Sequence, residues 1–402
     1  MTALTWAHEQ DRWIAVFERQ ITDRLAWAVG FIRAHRDQPE RLITHFESLV
    51  ILLNEAQARA HLQSIALELI EALHPWPVRW GHWDAWGQKL RFAIEAAERL
   101  AAINLQIKFM AELAAMLSRP MHQHDARALS EQALQLALRQ RALQSWAVAG
   151  AAQVAAAHKS GQIEQARSLL ANLDATWPSL AASASDLERV SARALIDFQR
   201  IDLMTRAGQP EALTACHALI AALEAQPGID LELLAEAYST LGITLFRGEA
   251  YPAALTALER ATDLRILSRD PVQELNERTN IGLVALWAGE LTKSTAALQH
   301  SVALAERLNL RRLVYVTLST LSAVYLARGQ FDAALECTTR AYNLAEEAND
   351  QVELARVINN RAAILLFMGK YASARQDFQI FLTQFMAQAR PAVQKVTKYV
   401  PG

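Results

Sequence analysis

The sequence predicts an all-α fold, a solenoid of stacked helical hairpins, and three observations carry that reading. The first is a period. From Ala235 to Phe385 the chain repeats itself every 40 residues: Gly242, Gly282, Ser322 and Ala362 are small, Tyr251, Leu291, Phe331 and Tyr371 are large and apolar, and Ala254, Ser294, Ala334 and Ala374 are small again. A fixed period in this range marks supersecondary units stacked in an array. The second is the pattern inside each unit. Gly242, Tyr251, Ala254, Leu258 and Ala261 alternate small and large, as two paired helices require: small residues sit where the helices cross, and large ones fill the hollows beside them. The third is punctuation. Gly248, Gly289, Gly329 and Gly369 fall between the paired helices, where glycine accepts the left-handed conformation that caps a helix.

The order Leu241, Gly242, Leu245, Tyr251, Ala254, Leu258, Ala261 follows the signature of the tetratricopeptide repeat, and so does Leu321, Ser322, Tyr325, Gly329, Phe331, Ala334, Ala341. The sequence therefore resembles that family. The proline that closes the family's unit is missing, with Ile266, Glu306 and Glu346 in its place. Units of about 40 rather than 34 residues have longer helices, and are similar to the repeats of MalT-like and NB-ARC-type bacterial regulators. The resemblance implies a right-handed α-solenoid whose first helices line a concave groove, the family's usual binding surface.

Taken in order, residues 1–73 read as an N-terminal helical cap. Trp6, Trp13, Ile14, Phe17, Ile21, Leu25 and Val29 recur at threes and fours over residues 4–35. A second helix begins near Pro39 with Leu42, Ile43, Phe46, Leu49 and Leu52, and a third runs from about Ala56 to Leu73. His74-Pro75-Trp76-Pro77 predicts an extended corner, because proline and the residue before it resist helix. The solenoid then occupies 74–385. Trp80-Gly81-His82-Trp83-Asp84-Ala85-Trp86 reads as a divergent inter-helix turn. Its tryptophans are expected to seal an irregular corner, a ligand cage being the alternative. Further turns fall at Arg119-Pro120, Gly161 and Gly208, so about eight hairpins are predicted. Residues 174–186 look like an inserted loop ending in a helix cap. Residues 386–402 are predicted to form a mobile tail.

The first helices of the regular units offer in-register polar columns. Glu236, Asn276, Val316 and Arg356 form one; Ser239-Thr240, Thr279-Asn280, Ser319-Thr320 and Asn359-Asn360 form the next two. Amides and hydroxyls in a row suit the C=O and N–H groups of an extended peptide. They also suit a face that merely has to stay solvated. Asn276, Thr279, Asn280, Ser319, Thr320, Arg356, Asn359 and Asn360 are the candidate peptide- or partner-binding residues, with Arg356 a partner for a carboxylate. No lysine stands in these columns, so a lysine-and-asparagine carboxylate clamp known in relatives is not expected. Arg278 and Arg361 occupy places usually apolar. Phe378, Phe381 and Phe385 crowd the last helix, where Phe381 takes a small residue's place. Either the tail from Pro391 or a second subunit, forming a homodimer through this helix, is expected to cover them.

Other classes find little support. The net charge of −2 gives no field to draw nucleic acid or a membrane surface. Cys216 and Cys337 read as buried hydrophobes, which suits a cytoplasmic protein. No secretory signal or apolar span is visible. His122-Gln-His124-Asp125 is a weak metal pattern without further ligands. No phosphate loop, Cys pair, His-Glu-x-x-His or Gly-x-Ser-x-Gly occurs. No cofactor and no catalysis are expected. The expected function is a non-catalytic scaffold that binds a protein or peptide in its groove. The alternative is the sensing arm of a signal-transduction regulator, taking a peptide or small-molecule inducer and controlling a separate effector.

Overall fold

A computed structural model describes residues 3–36, 38–74, 76–79, 82–117 and 123–385. The helices are α1 Ala3–Ala34, α2 Pro39–Gln57, α3 Gln63–Leu73, α4 Trp76–Arg79, α5 Trp83–Arg99, α6 Ile103–Leu117, α7 Gln123–Arg139, α8 Leu143–Lys159, α9 Ile163–Ala181, α10 Asp186–Arg206, α11 Glu211–Glu224, α12 Leu231–Arg247, α13 Tyr251–Leu267, α14 Pro271–Trp287, α15 Leu291–Arg307, α16 Arg311–Ala327, α17 Phe331–Glu347, α18 Gln351–Phe367 and α19 Tyr371–Ile380. No strand occurs among the described residues, and the all-α repeat architecture is the one expected. Two compact units divide the chain, Met1–Thr240 and Leu241–Gly402.

In the second unit α13 to α18 have 17 residues each. Three-residue links join them, so each helix starts 20 residues after the last. The middle residue of every link is left-handed: Arg269 (φ 54°), Gly289 (78°), Asn309 (53°), Gly329 (71°), Asn349 (51°) and Gly369 (74°). The next residue's N–H then reaches back five residues, as Glu290 to Ala285 O and Leu310 to Ala305 O, both at 2.8 Å. This closes the orphan carbonyls of the preceding helix. Gly248 departs from expectation. α12 ends at Arg247, so the left-handed place one residue beyond the cap belongs to Glu249 (φ 60°).

Glycine also lets these helices touch. A Cβ on Gly242 would stand 2.8 Å from Leu258 Cδ2, and one on Gly282 2.7 Å from Leu298 Cδ2. Buried Ser294 fixes the second crossing by donating to Gly282 O at 2.6 Å. Around the first crossing Ala254, Leu255, Leu258, Ile281, Val284 and Ala285 form one buried cluster.

The first unit keeps the same spacing over α5 to α9, which start at 83, 103, 123, 143 and 163. Ala101, Arg141 and Gly161 are left-handed in the links. The spacing breaks at α10 and α11, of 21 and 14 residues. The loop expected over 174–186 is mostly helix: α9 continues to Ala181. Tertiary contacts hold it. Trp177 packs against Trp146 at 6.3 Å, Arg193 lies over the Trp177 ring at 5.6 Å, and Asp174 accepts from Arg193 at 2.9 Å and Arg200 at 2.8 Å. The expected cap is present: Ser185 and Glu188 form a reciprocal capping box on α10.

At the N-terminal end, α1 and α2 match expectation. The third helix starts later than expected because α2 continues to Gln57 and a 3-10 turn, Ala60–Leu62, intervenes. His74 is extended (ψ 137°), but the corner is shorter than predicted, since Trp76–Arg79 is one helical turn. Trp76 and Trp86 are buried, and Trp86 Nε1 donates to His74 Nδ1 at 3.1 Å. These two rings belong to the core. Across this junction Glu112 Oε2 stands 3.6 Å from His74 Nε2 and has no hydrogen-bond partner among the described residues. Burial pushes the Glu112 carboxyl up to about 7. Pro75, Trp80 and Gly81, the turn at Arg119-Pro120, His122 and residues 386–402 lie outside the described residues, as does the side chain of His124.

Candidate functional site

Helices α14, α16 and α18 stack side by side in the second unit. Steps of three and four bring residues of one helix to one face. The face runs Asn276, Thr279, Leu283, Leu286 on α14, then Val316, Ser319, Ala323, Leu326 on α16, then Arg356, Asn359, Ala363, Leu366 on α18. The α14 and α18 rows pass from polar to apolar along the helix; the α16 row has Ser319 as its one polar member.

The candidate residues divide by what already holds them. Arg356 is engaged: its guanidinium donates to Glu353 Oε1 at 2.9 Å, to Val316 O at 2.8 Å and to Thr320 Oγ1 at 3.3 Å. It ties α18 to α16, and its charge is already met by Glu353. Asn360 does the same, with its amide donating to Ser319 O at 3.1 Å and Ser319 Oγ at 3.2 Å. Ser319 is fully buried beneath it, so a ligand would have to displace Asn360 to touch it. Thr320 returns its hydroxyl to Val316 O at 3.2 Å.

The others are more open. Thr279 caps its own helix carbonyl, Leu275 O, at 2.9 Å. Asn276 donates to Gln273 Oε1 at 3.0 Å and Asn280 to Glu277 Oε2 at 3.4 Å, both within α14, and each keeps its carbonyl oxygen. Asn359 is half-buried with no side-chain hydrogen bond to any described residue. Its amide is partly open to water, so a partner's C=O and N–H can replace that hydration without breaking a hydrogen bond to another described side chain.

Arg278 and Arg361 are structural. Arg278 donates to Glu274 at 2.8 Å. Arg361 grips buried Asp377 of α19 through two bonds of 2.7 and 2.8 Å and covers the Tyr342 ring at 4.8 Å.

The apolar half of the face was not among the predicted site residues. Leu366 is 45% exposed, Phe367 66% and Trp287 42%. Phe367 stacks on Phe331 at 6.5 Å, and the two rings line a cleft of about 550 Å³ with Gln330 and Met368. Their signal in the sequence was periodic: Arg247, Trp287, Ala327 and Phe367 close successive first helices. What periodicity cannot tell is whether such a residue faces a neighbour or solvent.

Residues 313–379 match the family model of the tetratricopeptide repeat, a stretch that includes α18 and most of α16 but not α14. No curated protein matches the sequence. Among solved structures the chain is similar to the apo form of RapI, with 13% identity and a TM-score of 0.54 over 80% of this chain and 90% of that one. It is also similar to a signal transduction ATPase with numerous domains from Pyrococcus horikoshii that has a tetratricopeptide repeat sensor, with 10% identity and a TM-score of 0.53 over 84% of this chain and 54% of that one. A third is a Rap protein complexed with Competence and Sporulation Factor, with 13% identity and a TM-score of 0.51 over 89% and 85%. At such identities the likeness is one of fold. No described helix is long and apolar enough to cross a membrane.

Proposed function

We propose that the chain is a non-catalytic scaffold that binds a protein or peptide segment on the shared face of α14, α16 and α18. The observation that carries this is Asn359, whose amide has no side-chain hydrogen bond to any described residue and lies on the same helix face as exposed Leu366. The ligand this face suits is amphipathic. Its apolar side chains would cover Trp287, Leu366 and Phe367, and its backbone or amide groups would meet Asn276, Thr279, Asn280 and Asn359. Arg356, Asn360 and Ser319 would support the face from beneath rather than touch the ligand. The similar Rap structure holds its own named factor, which makes a bound partner a reasonable expectation for this fold.

A second reading is a sensing arm that takes an inducer, a peptide or a small molecule, and acts on a separate effector in the cytoplasm. The similarity to the ATPase with a repeat sensor favours it, as does the resemblance to MalT-like regulators.

The test is selection from a displayed random-peptide library on the full chain. Selected peptides are then titrated against wild type, Asn359→Ala, Trp287→Ala with Phe367→Ala, and a distant control, Ala296→Ser. We expect losses of roughly 10-fold or more in the first two variants, since single anchors are worth about 1–2 kcal/mol or more, and none in the control. Peptides that bind all four proteins alike would remove the site from this face.

A further inference from the structure

Helix α1 has 32 residues against 19 for α2, and it carries two apolar faces. One is core: Ile21, Leu25, Ala28, Val29 and Ile32 are buried, and α1 packs on α2 and α3. The other is bare. Trp13 is 72% exposed, Val16 44%, Phe17 51% and Trp27 59%. With Gln20 and Arg24 these residues form a seam at steps of three, four and seven, the spacing of helices that pair along their length. The sequence pattern merges both faces into one periodic series. Only the structure separates Trp13 and Phe17 from the residues that reach the core.

We propose that this seam is a homodimer interface in which two copies of α1 pair antiparallel about a two-fold axis at Gln20. The symmetry of the seam selects this occupant. Trp13 and Trp27 lie seven residues either side of Gln20, and Val16 and Arg24 four either side. An isologous contact requires a patch that complements itself. Here each Trp13 meets Trp27 of the second copy, and each Arg24 lays its stem on Val16. Arg24 has no hydrogen-bond or ion-pair partner among the described residues, so it is available to cover Val16 and to lie against Phe17. The area also suffices. Aromatic side chains bury 150–250 Å² each, so four residues at these exposures offer on the order of 450 Å². Two copies together remove roughly 900–1,000 Å² before the polar rim is counted, close to the size at which a specific interface becomes credible. A mixed seam with Gln20 at its centre favours one register over sliding.

The experiment is the solution mass of the full chain by light scattering across a concentration series. Wild type should pass from 44.7 kDa to twice that mass in the micromolar range. Trp13→Glu with Trp27→Glu should stay at the single-chain mass, with a dissociation constant at least 100-fold weaker. Its far-ultraviolet circular dichroism should be unchanged, and its melting should match that of wild type at concentrations where wild type is a monomer but fall below it where wild type is a dimer, because association stabilises the folded state. Chains carrying Gln20→Cys should cross-link on oxidation, as the axis brings the two Cα atoms within disulfide reach. Chains with Val16→Cys should cross-link to chains with Arg24→Cys, which a parallel pair would not allow. Cys216 and Cys337 are the background, measured in wild type. A wild type that stays monomeric to several hundred micromolar overturns the proposal. So does a dimer that survives the tryptophan variant and dissolves in Phe381→Glu, which would move the contact to the C-terminal helix. Failure of both cross-links in a confirmed dimer overturns it as well.

Discussion

The two units solve the same packing problem at different depths. Over α5–α9 and over α12–α19 the helices start every 20 residues, and in both a first-helix glycine lies under a second-helix leucine. In the second unit the pairs are Gly242 with Leu258 and Gly282 with Leu298; in the first, Gly150 stands under Leu173, where a Cβ would come within 3.0 Å of Leu173 Cδ1. Gly282 lies 7 residues before its left-handed turn residue Gly289, whereas Gly150 lies 11 before Gly161. The first-unit crossing is thus about one helical turn farther from the link. A signature built on the shallower crossing cannot register the deeper one. That is why the repeat is plain in the sequence from Ala235 onward and faint before it, although the helices are spaced alike.

The largest expected effect tests whether the two crossings are equivalent. Leu173→Ala and Leu258→Ala should each cost roughly 2–5 kcal/mol in chemical denaturation, since each leucine fills a hollow beside a glycine. A loss at only one site would mean that only one crossing is tightly packed.

The next effect belongs to the first unit alone. Glu112 has its folded-state value raised to about 7 from an ordinary 4.5. The folded state therefore binds the proton more tightly than the unfolded one. Its stabilising share is complete below about pH 4.5 and is lost as pH rises through 7, on the order of 2–3 kcal/mol. Other groups titrate in this window; burial lowers His82 and His158. The readout is therefore a difference. Wild type minus Glu112→Gln should change sign-consistently from pH 5 to pH 8, with the variant the more stable at pH 8. A flat difference would show that the carboxyl is not held neutral.

A smaller effect tests the interhelical ties of the second unit. Arg356→Ala and Asn360→Ala should each lower stability by about 1–2 kcal/mol, while Asn359→Ala should leave it within about 0.5 kcal/mol. The reverse order would make Asn359 the structural residue and reopen Arg356 for a ligand.

The smallest concerns the links. Glu249 and Arg269 are left-handed without being glycine or asparagine, so Glu249→Gly and Arg269→Gly should each stabilise by roughly 0.5–1 kcal/mol. Replacing Asn309, a residue that tolerates this conformation, should gain less. Thermal melts of the three variants give the comparison.

Much of the architecture was determined by the sequence alone. Helix content, the 40-residue period, the paired-helix pattern and most turns follow from local propensity, spacing and glycine placement, which are properties of the chain itself. So was the column of polar first-helix positions, because a repeat puts equivalent residues in register. What tertiary structure decided is which of those residues remain open. Arg356, Asn360 and Ser319 look like ligand groups in sequence and are neighbour contacts in space, while Asn359 has no side-chain hydrogen bond among the described residues. Arg265 and Glu277 are charged yet 4% and 3% exposed, and Trp13 is aromatic yet bare. Residues 174–181 have loop composition yet form helix, because Trp146, Arg193 and Arg200 hold them. Periodicity sets the angle at which a side chain leaves its own helix. Only packing sets what stands opposite, and burial, pairing and availability to a partner depend on that second quantity.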